Sequence, residues 1–319
     1  MPDPLPAMIV KGLEQGSKLH KLWEASDRDK ALKDLAPRIR GLATGGGLTR
    51  MDGTFLSRLP KLEIVSSYGV GYDNVDVKWA GERGIIVTNT PDVLNEEVAD
   101  TAIGLILCAV RQFPQADRYL RDGKWLQKPF PLTATLRGRT LGIVGLGRIG
   151  KAIAKRAETF GLKIAYHGRN RQADVDYKYF ASLVEMARAV DILLVITPGG
   201  AETKHLVNAQ VLEALGPEGV LINVARGSVV DEAALIEALR ARKIMTAGLD
   251  VFANEPRVPQ ELIEMEHVVL FPHVGSASVH TRNAMGQLVV DNLLSYAAGR
   301  GPLTPVAETP WPREKSGAH

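Results

Sequence analysis

The feature that most restricts how this chain can fold is a glycine triplet at residues 145–150. Leu141-Gly142-Ile143-Val144 reads as an apolar strand, Gly145-Leu146-Gly147-Arg148-Ile149-Gly150 follows at once, and a helical stretch of Ala, Ile and Lys comes next. Glycines alone would say only that the chain turns. Between a strand and a helix the spacing is that of a dinucleotide-binding turn. Gly145 permits the tight turn, Gly147 lets the backbone approach a pyrophosphate, and Gly150 lets helix and strand pack closely. The helix N-terminus then turns free N–H groups and a positive dipole end towards phosphate, which places Leu146, Arg148 and Ile149 beside the cofactor with the glycines.

The rest of the chain repeats the same style. Short β-branched runs alternate with helical patterns, which predicts βαβ units and parallel sheets. The early strands are expected at 7–10, 39–43, 62–67 and 85–88, with amphipathic stretches at 51–59 and 75–83. A long helical pattern at 95–121 leads to a second series of strands at 140–145, 163–167, 191–196, 220–224, 246–250 and 267–271. Six strands of this kind fit a doubly wound dinucleotide fold. The helical pattern at 278–298 is long enough to run back to the first part of the chain, and the Pro-rich segment 303–319 is expected to end as a mobile tail. A length of 319 residues suits two domains.

Composition narrows the class. Hydrophobic residues make up 45% and charged residues 24%, the balance of a globular protein. The net charge is only +3, with Lys and Arg scattered, so neither a nucleic-acid nor a membrane partner is expected. No apolar run approaches the ~18 residues of a membrane span. The first ten residues carry no basic region followed by an apolar stretch, and the single cysteine, Cys108, lies in an apolar run as an expected buried thiol. A cytoplasmic location is expected, and no metal site.

The choice of dinucleotide is read at the end of the next strand, about 20 residues on, where NAD-binding proteins carry Asp or Glu. Here the stretch is Ala165-Tyr166-His167-Gly168-Arg169-Asn170-Arg171. Gly168 stands in the acid's place and two guanidinium groups follow. A 2′-phosphate would find room and charge-assisted hydrogen bonds there, from Arg169 first, with Asn170 and Arg171 beside it. NADPH/NADP+ is therefore expected in preference to NADH.

Three further strand ends carry polar residues: Asn223-Val224-Ala225-Arg226-Gly227, Asp250-Val251-Phe252-Ala253-Asn254-Glu255-Pro256 and Phe271-Pro272-His273-Val274-Gly275. In open α/β sheets such C-terminal strand ends border the ligand crevice. A 2-oxo acid needs a cation for its carboxylate and carbonyl oxygen, and a proton donor for the alkoxide that forms as hydride arrives. Arg226 and His273 would supply these, and Glu255 would hold the imidazole and favour its charged form.

Taken together the residues resemble the D-isomer-specific 2-hydroxyacid dehydrogenases over nearly the whole chain. The resemblance rests on Ser67-Tyr68-Gly69-Val70-Gly71-Tyr72-Asp73-Asn74, Val87-Thr88-Asn89-Thr90-Pro91, the glycine motif, Asn223-Val224-Ala225-Arg226-Gly227, Gly248-Leu249-Asp250-Val251-Phe252, Glu255-Pro256 and Pro272-His273-Val274-Gly275. Within the family, Pro60-Lys61-Leu62-Glu63-Ile64-Val65-Ser66-Ser67 and Thr90-Pro91-Asp92-Val93-Leu94 look most like the glyoxylate/hydroxypyruvate and hydroxyphenylpyruvate reductases.

That resemblance implies a catalytic set of Arg226, Glu255 and His273, with backbone N–H groups of Val70 and Gly71 holding the substrate carboxylate. It implies that Asp250, Val224 and Ala225 line a nicotinamide pocket, and that Thr101, Thr197, Pro198 and Gly275 lie near the cofactor. Gly199-Gly200 departs from the Leu-Thr that relatives often carry after the proline. The implied fold is α/β, with two Rossmann-like or flavodoxin-like domains, parallel sheets and a cleft between them. Residues 1–98 plus 284–319 would form the substrate domain, and 99–283 the NADP-binding Rossmann domain with a dimerisation arm.

Trp125 matches a position where related reductases place an aromatic from the partner subunit over the cleft, with ordinary core packing as the alternative; Leu48 and Leu94 are further expected pocket residues. A homodimer is expected, with its two-fold contact on the apolar helix around Ile103 to Val110 and the arm after it. The implied reaction is NADPH-dependent reduction of glyoxylate, hydroxypyruvate or bulkier 2-oxo acids to (R)-2-hydroxy acids. Phosphoglycerate dehydrogenases often carry a further C-terminal region for which this chain is too short, and formate dehydrogenase relatives have Gln where Glu255 stands. A dinucleotide-sensing corepressor on the same fold is the alternative of a different class, because such proteins can keep all three catalytic residues.

Overall fold

The computed structural model describes residues 1–46 and 49–311. Leu48 and the end of the Pro-rich segment lie outside the described residues. The chain divides into two compact units, the first formed by Met1–Leu94 with the chain from Ser278 onward and the second by Asn95–Ala277. The divisions fall after residues 94 and 277, where the sequence put them after 98 and 283.

In chain order, the first unit opens with α1 (Ala7–Gly16), α2 (Arg28–Leu35), β1 (Gly41–Thr44), α3 (Gly53–Leu56), β2 (Ile64–Ser67), α4 (Val77–Glu82) and β3 (Ile86–Thr88). The second unit runs through α5 (Asn95–Arg111), α6 (Phe113–Arg121), β4 (Thr140–Val144), α7 (Arg148–Thr159), β5 (Lys163–His167), β6 (Lys178–Phe180), α8 (Leu183–Ala189), β7 (Ile192–Val195), α9 (Ala209–Leu215), β8 (Val220–Asn223), α10 (Glu232–Arg240), β9 (Thr246–Leu249), α11 (Gln260–Glu264) and β10 (Val269–Leu270). The chain then returns to the first unit as α12 (Val279–Ala297).

In the first unit β1, β2 and β3 form a parallel sheet in that order, with Gly41 opposite Ile64 and Ile64 opposite Ile86. Side chains alternate across it: Leu42, Val65 and Val87 pack to one side with Leu32, Leu56 and Ala80, whereas Ala43 packs to the other with Ile9, Leu13, Val289 and Val290. The strand expected at 7–10 is instead the start of α1. Ile9 and Leu13, one helical turn apart, are both buried against α12. That i, i+4 face outweighs the β-preference of Ile9-Val10.

The Pro-rich segment is anchored as far as residue 309. The N–H of Val306 donates to the carbonyl of Val87 at 2.9 Å, and the N–H of Val87 donates to Thr309 Oγ1 at 2.8 Å. The segment thereby covers backbone groups that β3 would expose as an edge strand.

The second unit holds a seven-stranded, wholly parallel sheet in the order β10-β9-β8-β7-β4-β5-β6. One strand, β6, was not expected; its Lys-Tyr-Phe sequence lacks β-branched residues, with Lys178 exposed and Tyr179 and Phe180 only partly buried. The chain moves outward from β4 to β5 and β6, then returns as β7 on the other side of β4. That reversal is a topological switch point, where ligands of open α/β sheets bind at the C-terminal strand ends. Both faces are covered, so β7 and β8 are buried at every position. The helix expected at 95–121 breaks at Gln112, which adopts φ 52°, and α6 restarts with Pro114 in its first turn, where a missing N–H costs nothing. Cys108 is partly rather than fully buried, and burial raises its thiol pKa.

Candidate active site

The glycine turn joins β4 to α7 at the switch point. Gly145 adopts φ +100°, and a Cβ there would lie 2.9 Å from the carbonyl oxygen of Ile196 and 3.0 Å from the backbone of Thr197, so both conformation and space require glycine. Thr197 thus lies against the turn from the end of β7. A Cβ on Gly150 would overlap the carbonyl oxygen of Gly145, which sets how closely α7 approaches the turn. Gly147 is exposed, a Cβ there would meet no protein atom, and no side chain caps the first turn of α7. These are the properties a pyrophosphate cradle needs. Leu146 is buried, Ile149 is partly buried and Arg148 is exposed.

Beyond β5, Gly168 is partly buried and Arg169, Asn170 and Arg171 are exposed. Residues 168–171 themselves carry no carboxylate. A Cβ on Gly168 would meet nothing within 4 Å, and its φ is not positive, so glycine is not required there for steric reasons.

The three polar strand ends meet within the second unit. Asn223, at the end of β8 and 1% exposed, accepts from the N–H of Ala225 at 3.1 Å and donates from Nδ2 to the carbonyl of Arg226 at 3.1 Å. It thereby shapes the turn that presents Arg226, with Val224 and Ala225 buried behind it. A Cβ on Gly227 would overlap the backbone of Phe252, so this glycine lets the Arg226 turn lie against the loop that carries Glu255.

Asp250 directly follows β9 and is 2% exposed. Its carboxylate accepts from the N–H of Val274 at 2.7 Å and from the N–H of Gly275 at 2.9 Å, and its carbonyl accepts from the N–H of His273 at 2.9 Å. His273 adopts φ 53°, a left-handed conformation costing of order 1–3 kcal/mol in a non-glycine residue. The three bonds from Asp250 hold it there. Burial pushes the Asp250 carboxyl above the usual carboxylate range, although the two N–H donors oppose this. Its side chain is thus committed to the His273 loop.

Glu255 accepts from the N–H of Phe252 at 3.0 Å through one oxygen and from Nδ1 of His273 at 2.6 Å through the other. Burial would raise its pKa, but the His273 hydrogen bond, the Phe252 N–H and the charges of His273 and Arg226 together hold it below the ordinary value. The arrangement is an anion, an imidazole and a guanidinium side by side at adjacent strand ends. Such a group can bind an anionic carbonyl compound and exchange a proton with it.

Thr101 of α5 donates from Oγ1 to the carbonyl of Gly275 at 3.3 Å, which ties α5 to the histidine loop. Pro198 accepts at its carbonyl from Thr203 Oγ1 at 2.7 Å, within the Gly199-Gly200 loop. Trp125 is 65% exposed and packs in no core of the described residues. In the first unit, Val70 and Gly71 are partly buried in the loop after β2, where Asn89 Nδ2 donates to the carbonyl of Val70 at 2.7 Å, and Leu94 is buried. The positioning roles of Asn223 and Asp250 escaped sequence reasoning, since a strand-end Asn or Asp has no local mark of what it bonds.

The second unit matches the family model for the D-isomer specific 2-hydroxyacid dehydrogenase, NAD binding domain, over residues 103–275. The chain is 48% identical over 303 residues to a glyoxylate/hydroxypyruvate reductase of Arabidopsis thaliana, covering 95% of this chain and 96% of that protein. It is 46% identical to a hydroxyphenylpyruvate reductase of Plectranthus scutellarioides with the same coverage. Among solved structures it resembles an NADPH-dependent glyoxylate/hydroxypyruvate reductase of Sinorhizobium meliloti in complex with NADP and malonate, at 50% identity and a TM-score of 0.91, covering 98% of this chain and 97% of that one.

Proposed function

The chain belongs to the D-isomer-specific 2-hydroxyacid dehydrogenase family, and from that premise we propose that it reduces small 2-oxo acids to (R)-2-hydroxy acids with NADPH. The observation that carries this reading is the 2.6 Å hydrogen bond between His273 and Glu255, beside the charge of Arg226. An ionised carboxylate can only accept, so Nδ1–H of His273 faces Glu255 and Nε2 is the nitrogen that exchanges a proton with substrate.

When bound, the nicotinamide supplies the hydride. Arg226 binds the carboxylate and carbonyl oxygen of the 2-oxo acid, drawing electron density from the carbonyl carbon. His273 donates its Nε2 proton to that oxygen as it gains alkoxide character, and Glu255 keeps the ring oriented through its hydrogen bond to Nδ1. Glyoxylate and hydroxypyruvate lead as substrates, with bulkier 2-oxo acids next. The preference for NADPH is supported by the glycine at position 168 and the two exposed arginines after it.

Oxidation of NADPH by one purified sample in the presence of glyoxylate, hydroxypyruvate and phenylpyruvate tests the reading. Turnover is expected with the first two. No turnover on any 2-oxo acid would overturn it in favour of a dinucleotide sensor.

The Glu255 pair also predicts a pH effect. Because its pKa is lowered, Glu255 stays ionised and paired through the ordinary carboxylate range, and that contribution is lost only as pH falls through the lower value. Glu255→Gln removes that ionisation, so the acid limb of the kcat/KM profile that arises from protonation of Glu255 should be lost. An unchanged limb would show that the pair does not set the ionisation used in turnover.

The homodimer is likewise proposed; Ile103, Leu105, Ile106, Ala109 and Val110 are buried in the core of the second unit, so the contact is assigned to the arm after that helix, α6 and the segment that follows it. No residue of α6 is buried, and Phe113, Leu120, Trp125 and Leu126 are 47%, 58%, 65% and 93% exposed. Apolar exposure of this extent in one segment suits a two-fold contact. Light scattering should give twice the chain mass; a monomer at working concentration would remove any role for a partner's Trp125.

A further inference from the structure

Gln172 ties together two ligand-facing loops of the second unit. Its Nε2 donates to the carbonyl of Leu146 at 2.7 Å, and its backbone N–H donates to the hydroxyl of Tyr166 at 2.7 Å. Leu146 lies between the first two glycines of the turn, whereas Tyr166 stands on β5 and is 1% exposed. At the other end of the same loop, the hydroxyl of Tyr179 on β6 donates to the carbonyl of Gly168 at 3.2 Å, and the Tyr166 and Tyr179 rings lie 5.3 Å apart. Residues 168–172 are therefore held at both ends and tied sideways to the glycine turn. Between the ties, Arg169 and Arg171 are exposed, and neither guanidinium has a hydrogen-bond or ion-pair partner among the described residues.

Ordering a loop costs conformational entropy, and here the folded protein carries that cost before any ligand arrives. The 2′-phosphate and the pyrophosphate of one dinucleotide are joined covalently through the ribose, so their separation is restricted. A loop tethered to the glycine turn can present its cations at one matching separation. We infer that Gln172, Tyr166 and Tyr179 are positioning residues that set the place of Arg169 and Arg171 relative to the glycine turn, and so contribute to discrimination between dinucleotides with and without a 2′-phosphate. The inference rests on the NADPH reading above and adds that part of the preference lies in residues that do not touch the phosphate. The glycine turn itself has independent supports, since Gly145 N–H donates to the carbonyl of His167 at 2.9 Å and Lys151 N–H to that of Gly147 at 2.9 Å.

The test uses the full chain and two probes that differ only in the 2′-phosphate, 2′,5′-ADP and 5′-AMP, titrated by calorimetry. Gln172→Met keeps the side-chain length and removes the donor; Tyr166→Phe keeps the ring and removes the acceptor. Each should weaken 2′,5′-ADP about 3- to 10-fold and leave 5′-AMP within about twofold. Gln172 is a partly buried loop residue, so its variant carries the test even if the buried Tyr166→Phe fails to fold. An unmodified protein that binds both probes equally would overturn the NADPH reading and this inference with it. An unmodified protein that prefers 2′,5′-ADP, with variants that keep the same ratio or lose both probes in equal measure, would overturn the inference alone.

Discussion

Replacing His273 by alanine should lower kcat on 2-oxo acids by about 10²- to 10⁴-fold while leaving NADPH affinity nearly unchanged. In the proposed mechanism the imidazole acts on the carbonyl oxygen only as charge develops there, so its loss would fall on the transition state rather than on cofactor binding. The structure gives a reason to expect a clean result. Asp250 holds the loop through backbone atoms of residues 273–275, and alanine keeps all three of those bonds. Release of φ strain at position 273 is small beside the catalytic loss, because alanine shares the same conformational restriction. Single-turnover reduction with saturating NADPH, together with cofactor titration by fluorescence, measures the two quantities separately. A kcat near that of the unmodified protein would remove His273 from the proton transfer.

The second large effect is expected at Arg169. Hydrogen bonds to charged groups contribute roughly 1.5–3 kcal/mol, and 1.4 kcal/mol is tenfold, so the loss of one such contact to a 2′-phosphate should raise the KM for NADPH about 10- to 150-fold. Arg169 is exposed, and solvent screening favours the lower end of that range. The KM for NADH should hardly move. Adding Gly168→Asp should then turn the preference towards NADH, since a carboxylate there would accept from ribose hydroxyls and repel the phosphate. A Cβ at residue 168 meets no atom within 4 Å, so the substitution brings no clash at its Cβ. Equal kcat/KM for the two cofactors in the unmodified protein would overturn this account of the loop and leave the hydride chemistry untouched.

Much of this protein is written locally. The glycine turn is legible because a tight turn, a close approach to pyrophosphate and close packing of the following helix each favour glycine within six residues, and Gly145, Gly147 and Gly150 match them in order. The strands that flank it are legible because a parallel sheet covered on both faces needs unbroken apolar runs, as in β7 and β8. The identities of Arg226, Glu255 and His273, and the absence of an acid after β5, are likewise properties of short segments.

What only the tertiary structure decided depends on contacts between residues far apart in the chain. Ile9-Val10 has β-preference but lies on a helix, because Ile9 and Leu13 find Val289 and Val290 some 280 residues away. The strand β6 forms where β5 offers an edge to pair with; Tyr179 and Phe180 suit extension, but a run of three residues is too short to mark a strand by itself. The commitment of Asp250 to the His273 loop and the tie from Gln172 to Leu146 carry no mark in the sequence, since a hydrogen bond is specified by the position of both partners and residue type names only one of them. The sequence by itself therefore determined which chemical groups are present and where the backbone must turn, while the fold decided which of those groups are held in place and by what.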